Sequence, residues 1–343
     1  MENYVNNTVN SFETAKSLVL KAKKHIEEIA FEEQLSGVVT GFEKLDKITS
    51  GFQPSDLIII AGRPSMGKSA FVLSITRNIS IDFGIPVAFF SPEMSSRQLI
   101  NRLISSETGL SLEKLRTGKL EKHEWELLSI MTKKIEKALI YFDDTPDISV
   151  QNLCSKSREL VLNRGVKIII IDNIHLISAG NKGNGDITRE QEISIVTRAL
   201  KGLAKELNIP IVAISQLSRE VESRGSNKRP ILSDLRGSGT LEEIADIVSF
   251  IYRPEYYKID EWDDDEAFPT DGQAEIMIAK HRNGSLENIR LKFVEKIGKF
   301  DNLEEISDGF DDLPSKFNNN PFSLNEAFGS NLNEHEDDSD VPF

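Results

Sequence analysis

Residues 57–69 read LIIIAGRPSMGKS, an apolar run that leads into a glycine-rich loop. The loop matches the pattern G-x-x-x-x-G-K-[ST], and apolar residues at helical spacing follow it. Glycines let a backbone wrap closely round phosphates, a lysine neutralises their charge, and a serine hydroxyl binds Mg²⁺. Because the spacing G-x-G-x-x-G is missing, a dinucleotide-binding fold is disfavoured. The residues expected to hold the phosphates are Gly62, Arg63, Pro64, Ser65, Met66, Gly67, Lys68 and Ser69.

Apolar strands alternate with helical stretches through the body of the chain. Strands are predicted at 57–61, 86–91, 139–143, 167–172 and 210–216, and helices at 68–82, 95–107, 149–164 and 189–207. This alternation predicts an α/β fold with a mostly parallel central sheet flanked by helices. Further strand-like runs are found at 247–252, 273–280 and 288–295. Since no full helices separate them, we expect them to extend the sheet as antiparallel edge strands.

Three polar residues stand where predicted strands end. The tips of parallel strands face the ligand crevice of such a sheet. Asp172 is therefore expected to bind Mg²⁺ together with Ser69. Glu93 could polarise an attacking water as a general base, or it could equally cap the helix that follows. Gln216 could sense the terminal phosphate, although this signal is weak by itself.

The chain divides into three segments by composition. Residues 1–35 contain an amphipathic helix over 12–35, which packs either on its own domain or on a neighbouring subunit. Residues 36–302 form the α/β domain, and residues 303–343 are predicted to be an acidic, disordered tail. Glycine-rich loops at Ala179–Ile187 and Ser223–Gly239 are expected to be functional or mobile.

Charge and composition exclude several classes of protein. The net charge is −14, but twelve Asp or Glu and one Lys from Asp301 onward account for −11, which leaves −3 for residues 1–300. A nearly neutral body can carry a local basic stripe, so the acidity does not exclude DNA binding. The single cysteine, Cys154, suits a reducing cytosol. Every apolar run is far shorter than the roughly 20 residues of a membrane helix. The acidic stretch Asp260–Asp271 is predicted to be a solvated surface loop.

A set of motifs follows the glycine-rich loop in a fixed order. The stretches are GRPSMGKS, SPEMS, IIIIDNIHLIS, IPIVAISQLSR, KRPILSDLRGSG, ADIVSFIYR and AKHRNG. In this order they resemble the helicase domain of DnaB-type bacterial replicative helicases, from about Val38 to Asn302. The resemblance implies a RecA-like core that binds ATP and Mg²⁺ and forms a hexameric ring. It also implies 5′ to 3′ movement on single-stranded DNA and unwinding of duplex DNA at the replication fork.

The resemblance also assigns roles to single residues. Lys68 and Ser69 would bind ATP and Mg²⁺, Asp172 would lie on the metal side, and Glu93 would be the catalytic base. Gln216 would be the sensor. Lys280 and Arg282 match the pair that the family inserts into the neighbouring subunit's ATP site, with Arg282 as the arginine finger.

The segment 234–239 resembles the family's DNA-gripping loop. The residues expected to contact DNA phosphates are Arg236, Gly237, Ser238 and Gly239. Arg224, Lys228 and Arg229 either widen this basic rim or form an ordinary solvated loop. Position 237 is Gly where family members often carry Glu, which puts one loop contact in doubt.

Two other departures concern the ends of the chain. Only about 35 residues precede the core, so the family's N-terminal helical domain, which contributes to the ring collar and to primase contacts, is expected to be missing. The helix over 12–35 then takes the place of the family's linker helix. The acidic end Glu336–Phe343, which finishes in Pro342-Phe343, resembles the tip of bacterial single-stranded-DNA-binding proteins, or it is a solubilising tail. Primase, a helicase loader and partners of single-stranded-DNA-binding proteins are candidate partners.

Two other functions remain compatible with parts of the sequence. A RecA-like ATPase could load or remodel a replication or recombination complex without unwinding DNA. A metabolic kinase with a phosphate-binding loop would leave the DNA-loop motif and the pair Lys280 and Arg282 unexplained.

Overall fold

The computed structural model describes residues 12–32, 35–180, 187–224, 228–235, 237–263 and 268–303. Within them, the strands are β1 (Leu57–Gly62), β2 (Val87–Phe90), β3 (Ile140–Asp143), β4 (Ile168–Ile171), β5 (Ile211–Gln216), β6 (Ile247–Tyr252), β7 (Gln273–His281), β8 (Asn288–Val294) and β9 (Lys299–Asn302). The helices are α1 (Ala15–Glu32), α2 (Glu43–Thr49), α3 (Lys68–Arg77), α4 (Ser96–Thr108), α5 (Leu112–Thr117), α6 (Lys122–Lys137), α7 (Val150–Arg164), α8 (Arg189–Leu207), α9 (Glu220–Ser223) and α10 (Ser238–Ile244).

All nine described strands belong to one sheet in the order β3-β2-β4-β5-β1-β6-β7-β8-β9. The first six strands in this order run parallel to their neighbours. Strands β7, β8 and β9 continue the sheet in antiparallel pairs. The predicted α/β fold with antiparallel edge strands is therefore confirmed.

The central strands are buried on both faces because helices cover each side. Ile58 and Ile60 of β1 pack with Phe71 of α3 and Leu99 of α4 on one face. The alternate residues of β1 pack with α7, α8 and α10 on the other face. A strand covered twice must be apolar at every position, which is why β1 and β4 read as unbroken Ile-rich runs. Burying each such Ile or Leu side chain stabilises the folded state by about 1.5–3 kcal/mol.

Five of the described helices were not predicted from the sequence, namely α2, α5, α6, α9 and α10. Of the sixteen residues of α6 only Glu124 is buried. The helix predicted over 68–82 ends as an α-helix at Arg77 and continues as a π-helix over Asn78–Asp82.

The acidic insertion is not wholly a solvated loop, which corrects the prediction for it. Trp262 is buried, and its indole Nε1 donates to Gln273 Oε1 at 3.1 Å. The guanidinium of Arg290 stacks over the Trp262 ring at 4.3 Å. This tryptophan anchors the described part of the insertion to β7 and β8.

Helix α1 lies within the predicted range 12–35 and presents apolar side chains to the surface. Leu18, Val19 and Ile26 are 51%, 53% and 64% exposed. Docking on a neighbouring subunit stays a prediction, as do the domain limits. Most of the loop Ala179–Ile187 and the acidic tail beyond residue 303 lie outside the described residues. No helix in the described part of the chain is long and apolar enough to cross a membrane.

Candidate nucleotide-binding site

The glycine-rich loop joins the end of β1 to the start of α3. Gly67 has φ +90°, which a residue with a side chain rarely adopts. A Cβ at this position would lie 3.1 Å from the ring of Phe300, so both conformation and space require glycine. The loop therefore brings its backbone N–H groups and the first turn of α3 to one point, as anion binding demands.

Lys68 begins α3 and reaches back over the loop. Its Nζ donates to the carbonyl oxygen of Arg63 at 2.9 Å. Burial lowers the pKa of Lys68 to about 8, against the opposing effects of the Asp172 and Glu93 carboxylates. An additional anion beside this ammonium would favour its charged form.

Asp172 follows β4 and is 2% exposed. Burial raises its pKa, nearby Glu93 raises it further, and a hydrogen bond from Ser69 opposes the shift. Its Oδ2 has no hydrogen-bond partner among the described residues. A buried carboxylate oxygen beside a serine hydroxyl suits a hard cation such as Mg²⁺. The described residues contain no cluster of three or more His, Cys, Asp or Glu that could hold a metal alone. Phosphate oxygens would therefore have to complete the coordination.

Glu93 and Gln216 line the same pocket as Lys68, Ser69 and Asp172. The structure thus brings the residues predicted at the strand tips together around the glycine-rich loop. Glu93 does not cap α4, because Ser95 and Gln98 form the capping box of that helix.

The pocket is also lined by polar residues that were not predicted from the sequence. Arg253 follows β6, is 4% exposed, and stacks over the ring of Phe293 at 4.3 Å. Its Nε has no partner in the described part of the chain. Arg102 and Asn173 also line the pocket. The signal for Arg253 was present, since a charged residue directly follows an apolar strand there, as Asp172 does after β4.

Lys280 and Arg282 lie at the opposite end of the parallel strands from the glycine-rich loop. Strand β7 runs antiparallel to β6 and pairs His281 with Ile247, at the start of the parallel strands. The glycine-rich loop lies at the other end of β1, whose six residues span about 17 Å. This chain therefore does not bring Arg282 to its own Lys68.

The C-terminal end of α10 holds this basic pair. Lys280 Nζ donates to the carbonyl oxygen of Glu243 at 3.0 Å and also to that of Glu242. Arg282 Nη2 donates to the carbonyl oxygen of Glu243 at 2.8 Å, and its Nη1 lies 3.2 Å from Asp246 Oδ1. The side chain of Arg282 remains 44% exposed, so part of the guanidinium faces outward.

Asp246 lies at the centre of a cluster of charged residues at this end of the strands. Its Oδ2 accepts a hydrogen bond from the backbone N of Leu57 at 2.8 Å and pairs with Lys201. Neighbouring Asp56 has its pKa raised to about 6, first by burial and then by the charge of Asp246, while Lys201 and Arg282 lower it.

The residues predicted to bind DNA are only partly described. Arg236 lies outside the described residues, whereas Gly237 is the N-cap of α10 and Ser238 and Gly239 begin that helix. Gly237 has φ +74°, and a Cβ there would lie 2.9 Å from Ile193 Cδ1. Local backbone geometry thus explains glycine at this position.

The side chains of the predicted basic rim form ion pairs and hydrogen bonds within the protein. Arg224 pairs with Asp234, and Lys228 Nζ donates to the carbonyl oxygen of Glu222 at 3.2 Å. Arg229 pairs with Glu275, and its Nη2 lies 2.7 Å from Asp263 Oδ1. The side chains of these three residues therefore have partners within the protein and do not simply extend into solvent from a charged loop.

A glycine-rich loop between a strand and a helix, with a carboxylate at a neighbouring strand tip, defines a phosphate-binding-loop nucleotide-binding protein with a RecA-like core. The family model described as DnaB-like helicase C terminal domain matches residues 37–302. The chain belongs to this DnaB-like family, as its motifs implied.

Curated relatives and solved structures agree with this assignment. The replicative DNA helicase DnaB of Geobacillus stearothermophilus is 42% identical over 86% of this chain. The replicative DNA helicase DnaC of Bacillus subtilis is 40% identical over 86% of this chain. The chain spans 63% of the length of each of these two relatives.

Two solved structures share the fold. One is an isolated ATPase domain with a TM-score of 0.76 and 35% identity, covering 86% of this chain and 100% of that one. The other is a DnaB-like replicative helicase studied with its primase interactions, with a TM-score of 0.73 and 34% identity, covering 87% of this chain and 68% of that one.

Proposed function

We propose that the protein is an ATP-dependent DNA helicase whose subunits form a hexameric ring and translocate 5′ to 3′ on single-stranded DNA. Membership of the DnaB-like family supports the proposal. The observation that carries it is the separation of Lys68 and Arg282 by the length of the parallel strands. A nucleotide bound at Lys68 would then receive its arginine finger from a second subunit, which requires an oligomer.

Residues of the glycine-rich loop would hold the ATP phosphates. Their backbone N–H groups would bind the phosphate oxygens, and the Lys68 ammonium would neutralise the β and γ groups. Ser69 and Asp172 would hold Mg²⁺, and the unpartnered Asp172 Oδ2 supports this assignment. Bound Mg²⁺ supplies positive charge that stabilises the transferring phosphoryl group.

Three further contributions to the hydrolysis cycle would come from the protein. Glu93 would take a proton from the attacking water, and Gln216 would sense loss of the γ-phosphate. Arg282 and Lys280 of the neighbouring subunit would stabilise negative charge on the transferring group. Their attachment to the end of α10 supports coupling, because the same helix begins in the predicted DNA loop.

The loop around Arg236 would grip the DNA backbone. Small residues at 237–239 would let backbone amides approach phosphates, so binding would be independent of sequence and sensitive to salt. Arg224, Lys228 and Arg229 would contribute only after exchanging their present partners for phosphates.

Membership of the DnaB-like family also suggests candidate partner proteins. Primase is a candidate because a solved DnaB-like relative was studied with its primase interactions. A helicase loader and the partners of single-stranded-DNA-binding proteins are further candidates.

The decisive experiment is ATP-dependent strand displacement on a forked duplex. The wild-type chain should displace the strand, Lys68→Ala should not, and Lys119→Ala, which removes an exposed lysine, should match the wild type. DNA-stimulated hydrolysis without displacement would instead favour a loading or remodelling ATPase. Particle mass measured with a nucleotide analogue and single-stranded DNA should correspond to a hexamer. A protein that stays monomeric while hydrolysing ATP at full rate would contradict the ring.

A further inference from the structure

A hydrogen bond ties the proposed catalytic base to the residue after Asp172. Asn173 lies at the tip of β4, is 3% exposed, and donates from Nδ2 to Glu93 Oε2 at 2.9 Å. An amide can donate to a carboxylate without adding a charge beside Asp172. The bond fixes one carboxylate oxygen and leaves the other free to accept from water.

The other end of the Asn173 amide connects to a buried histidine. The backbone N of His175 donates to Asn173 Oδ1 at 3.0 Å. His175 lies in a short 3-10 turn over Ile174–Leu176 and is 8% exposed. Its Nε2 accepts from the backbone N of Gln216 at 3.2 Å and lies 3.0 Å from Ser215 Oγ. Because a backbone N–H can only donate, Nε2 carries the lone pair in this contact.

The residues that follow Gln216 pair with the start of the predicted DNA loop. Leu217 pairs with Leu235 in an antiparallel bridge, and the backbone N of Ser218 donates to the carbonyl oxygen of Asp234 at 2.7 Å. Arg63 of the glycine-rich loop donates to the carbonyl oxygen of Leu217 at 3.1 Å. One short stretch of backbone thus contacts the glycine-rich loop, the Asn173–His175 pair and the segment next to position 236.

We propose that Asn173 and His175 are positioning residues that make the placement of the Glu93 carboxylate depend on DNA bound at the loop over 234–239. The inference rests on the proposed function, since it assumes that Glu93 is the base and that this loop binds DNA. A shift of the Leu217–Leu235 pair moves the Gln216 N–H, and His175 follows it through the bond to Nε2. Asn173 moves with the His175 backbone and carries Glu93 with it.

The physical basis is the short length of this connection. Asn173 and His175 are buried, and backbone N–H groups donate two of the three hydrogen bonds, so the path from Gln216 to the Asn173 amide has little freedom. The Glu93 side chain is exposed, and its bond to Asn173 is the link that holds it in place. A general base must lie within hydrogen-bond reach of the water that it activates, so a small displacement of Glu93 changes the rate. The connection is therefore expected to change kcat. It is not expected to change how tightly Lys68 and the glycine-rich loop bind the ATP phosphates.

The test compares ATP hydrolysis without DNA and with saturating single-stranded DNA in the full chain. In Asn173→Ala and His175→Ala the ratio of stimulated to unstimulated kcat should fall about tenfold, as expected for one hydrogen bond to a charged group. The KM for ATP should change less than about twofold, since phosphate contacts are intact. The double variant should equal either single variant, because both act through one connection.

Two variants separate positioning from a merely structural effect. His175→Gln keeps an acceptor for the Gln216 N–H and should restore most of the stimulation ratio. Gln151→Ala removes an amide that donates to the Ala179 carbonyl oxygen at 3.0 Å, outside this connection, and should leave the ratio unchanged.

Each outcome decides one of the two proposals. A wild-type chain whose hydrolysis ignores DNA overturns the proposed function and the inference with it. A stimulated wild type together with an unchanged ratio in Asn173→Ala overturns the inference alone. Equal loss of both rates, with a lower unfolding temperature, assigns Asn173 and His175 a structural role and also overturns it.

Discussion

Asp172 and Asp234 are each 2% exposed, yet their carboxylates have opposite surroundings. Asp234 pairs with Arg224 and accepts a hydrogen bond from the backbone N of Ile231 at 2.8 Å. Asp172 has a carboxylate oxygen with no partner in the described residues, and burial raises its pKa. Removing one partner of a buried ion pair destabilises a fold, whereas a buried carboxylate oxygen that lacks a hydrogen bond itself costs stability.

The first prediction contrasts these two residues. Asp172→Asn should raise the unfolding temperature without nucleotide, because a neutral amide costs less to bury than a carboxylate. The same variant should lose at least about a hundredfold in Mg²⁺-dependent ATP hydrolysis. Asp234→Asn is the matched control and should lose about 3–5 kcal/mol of stability, since it leaves Arg224 without its charged partner. Thermal unfolding and hydrolysis rates measure both effects. If Asp172→Asn is less stable than the wild type, the carboxylate has a structural role instead.

The second prediction concerns the site shared between subunits. Lys68→Ala and Arg282→Ala should each be inactive alone, but a mixture of the two should recover hydrolysis. In a randomly mixed ring about a quarter of the interfaces would combine an intact Lys68 with an intact Arg282. DNA-stimulated ATPase activity of the mixture, measured after co-assembly, checks this. No recovery in rings proven to be mixed would contradict a finger supplied by the neighbour.

The third prediction follows from the raised pKa of Asp56. The pKa is about 6 in the folded protein, against an ordinary value of 3.8. As pH rises through this window the unfolded chain loses the proton first, so the folded state loses stability. Asp56→Asn removes this loss. The stability of the variant relative to the wild type should therefore increase by about 2 kcal/mol between pH 4 and pH 7. Urea unfolding at several pH values measures the difference, and a difference independent of pH would refute the assignment.

The fourth prediction concerns glycine at position 237. Gly237→Ala should destabilise the protein by about 1–2 kcal/mol, because the backbone is left-handed and a Cβ would meet Ile193. Gly239→Ala is the matched control, since the space around that position within α10 is open. It should be neutral or stabilising by up to about 1 kcal/mol. Chemical unfolding of both variants measures the change in stability. Equal changes at the two positions would show that local backbone conformation does not determine the effect of the substitution.

The sequence predicted the parallel core well because its strands are buried on both faces. Unbroken apolar runs such as Ile168–Ile171 can hardly be read otherwise, and the loop at Gly67 has an unmistakable spacing. Residues at strand tips were also predictable, since Glu93, Asp172 and Gln216 each follow such a run. Helix α6 was missed although apolar residues recur at helical spacing along it.

Other features depend on contacts between distant parts of the chain. The bond from Asn173 to Glu93 joins residues 80 positions apart, and Arg253 meets Phe293 across two strands. The local sequence around each residue gives no information about such long-range contacts. The partners of Arg224, Lys228 and Arg229 were likewise invisible, because a run of cations reads the same whether it faces solvent or a buried carboxylate.

The reversal of chain direction at β7 has a consequence for any assembly of these subunits. Lys68 and Arg282 lie at opposite ends of the parallel strands, so in the proposed ring an open arc of subunits would have one complete catalytic centre fewer than it has members. Only a closed ring would complete them all. Opening the ring to admit a strand without free ends would inactivate the centre at the gap, and closing it would restore that centre, so the rate of hydrolysis would report whether the ring is closed.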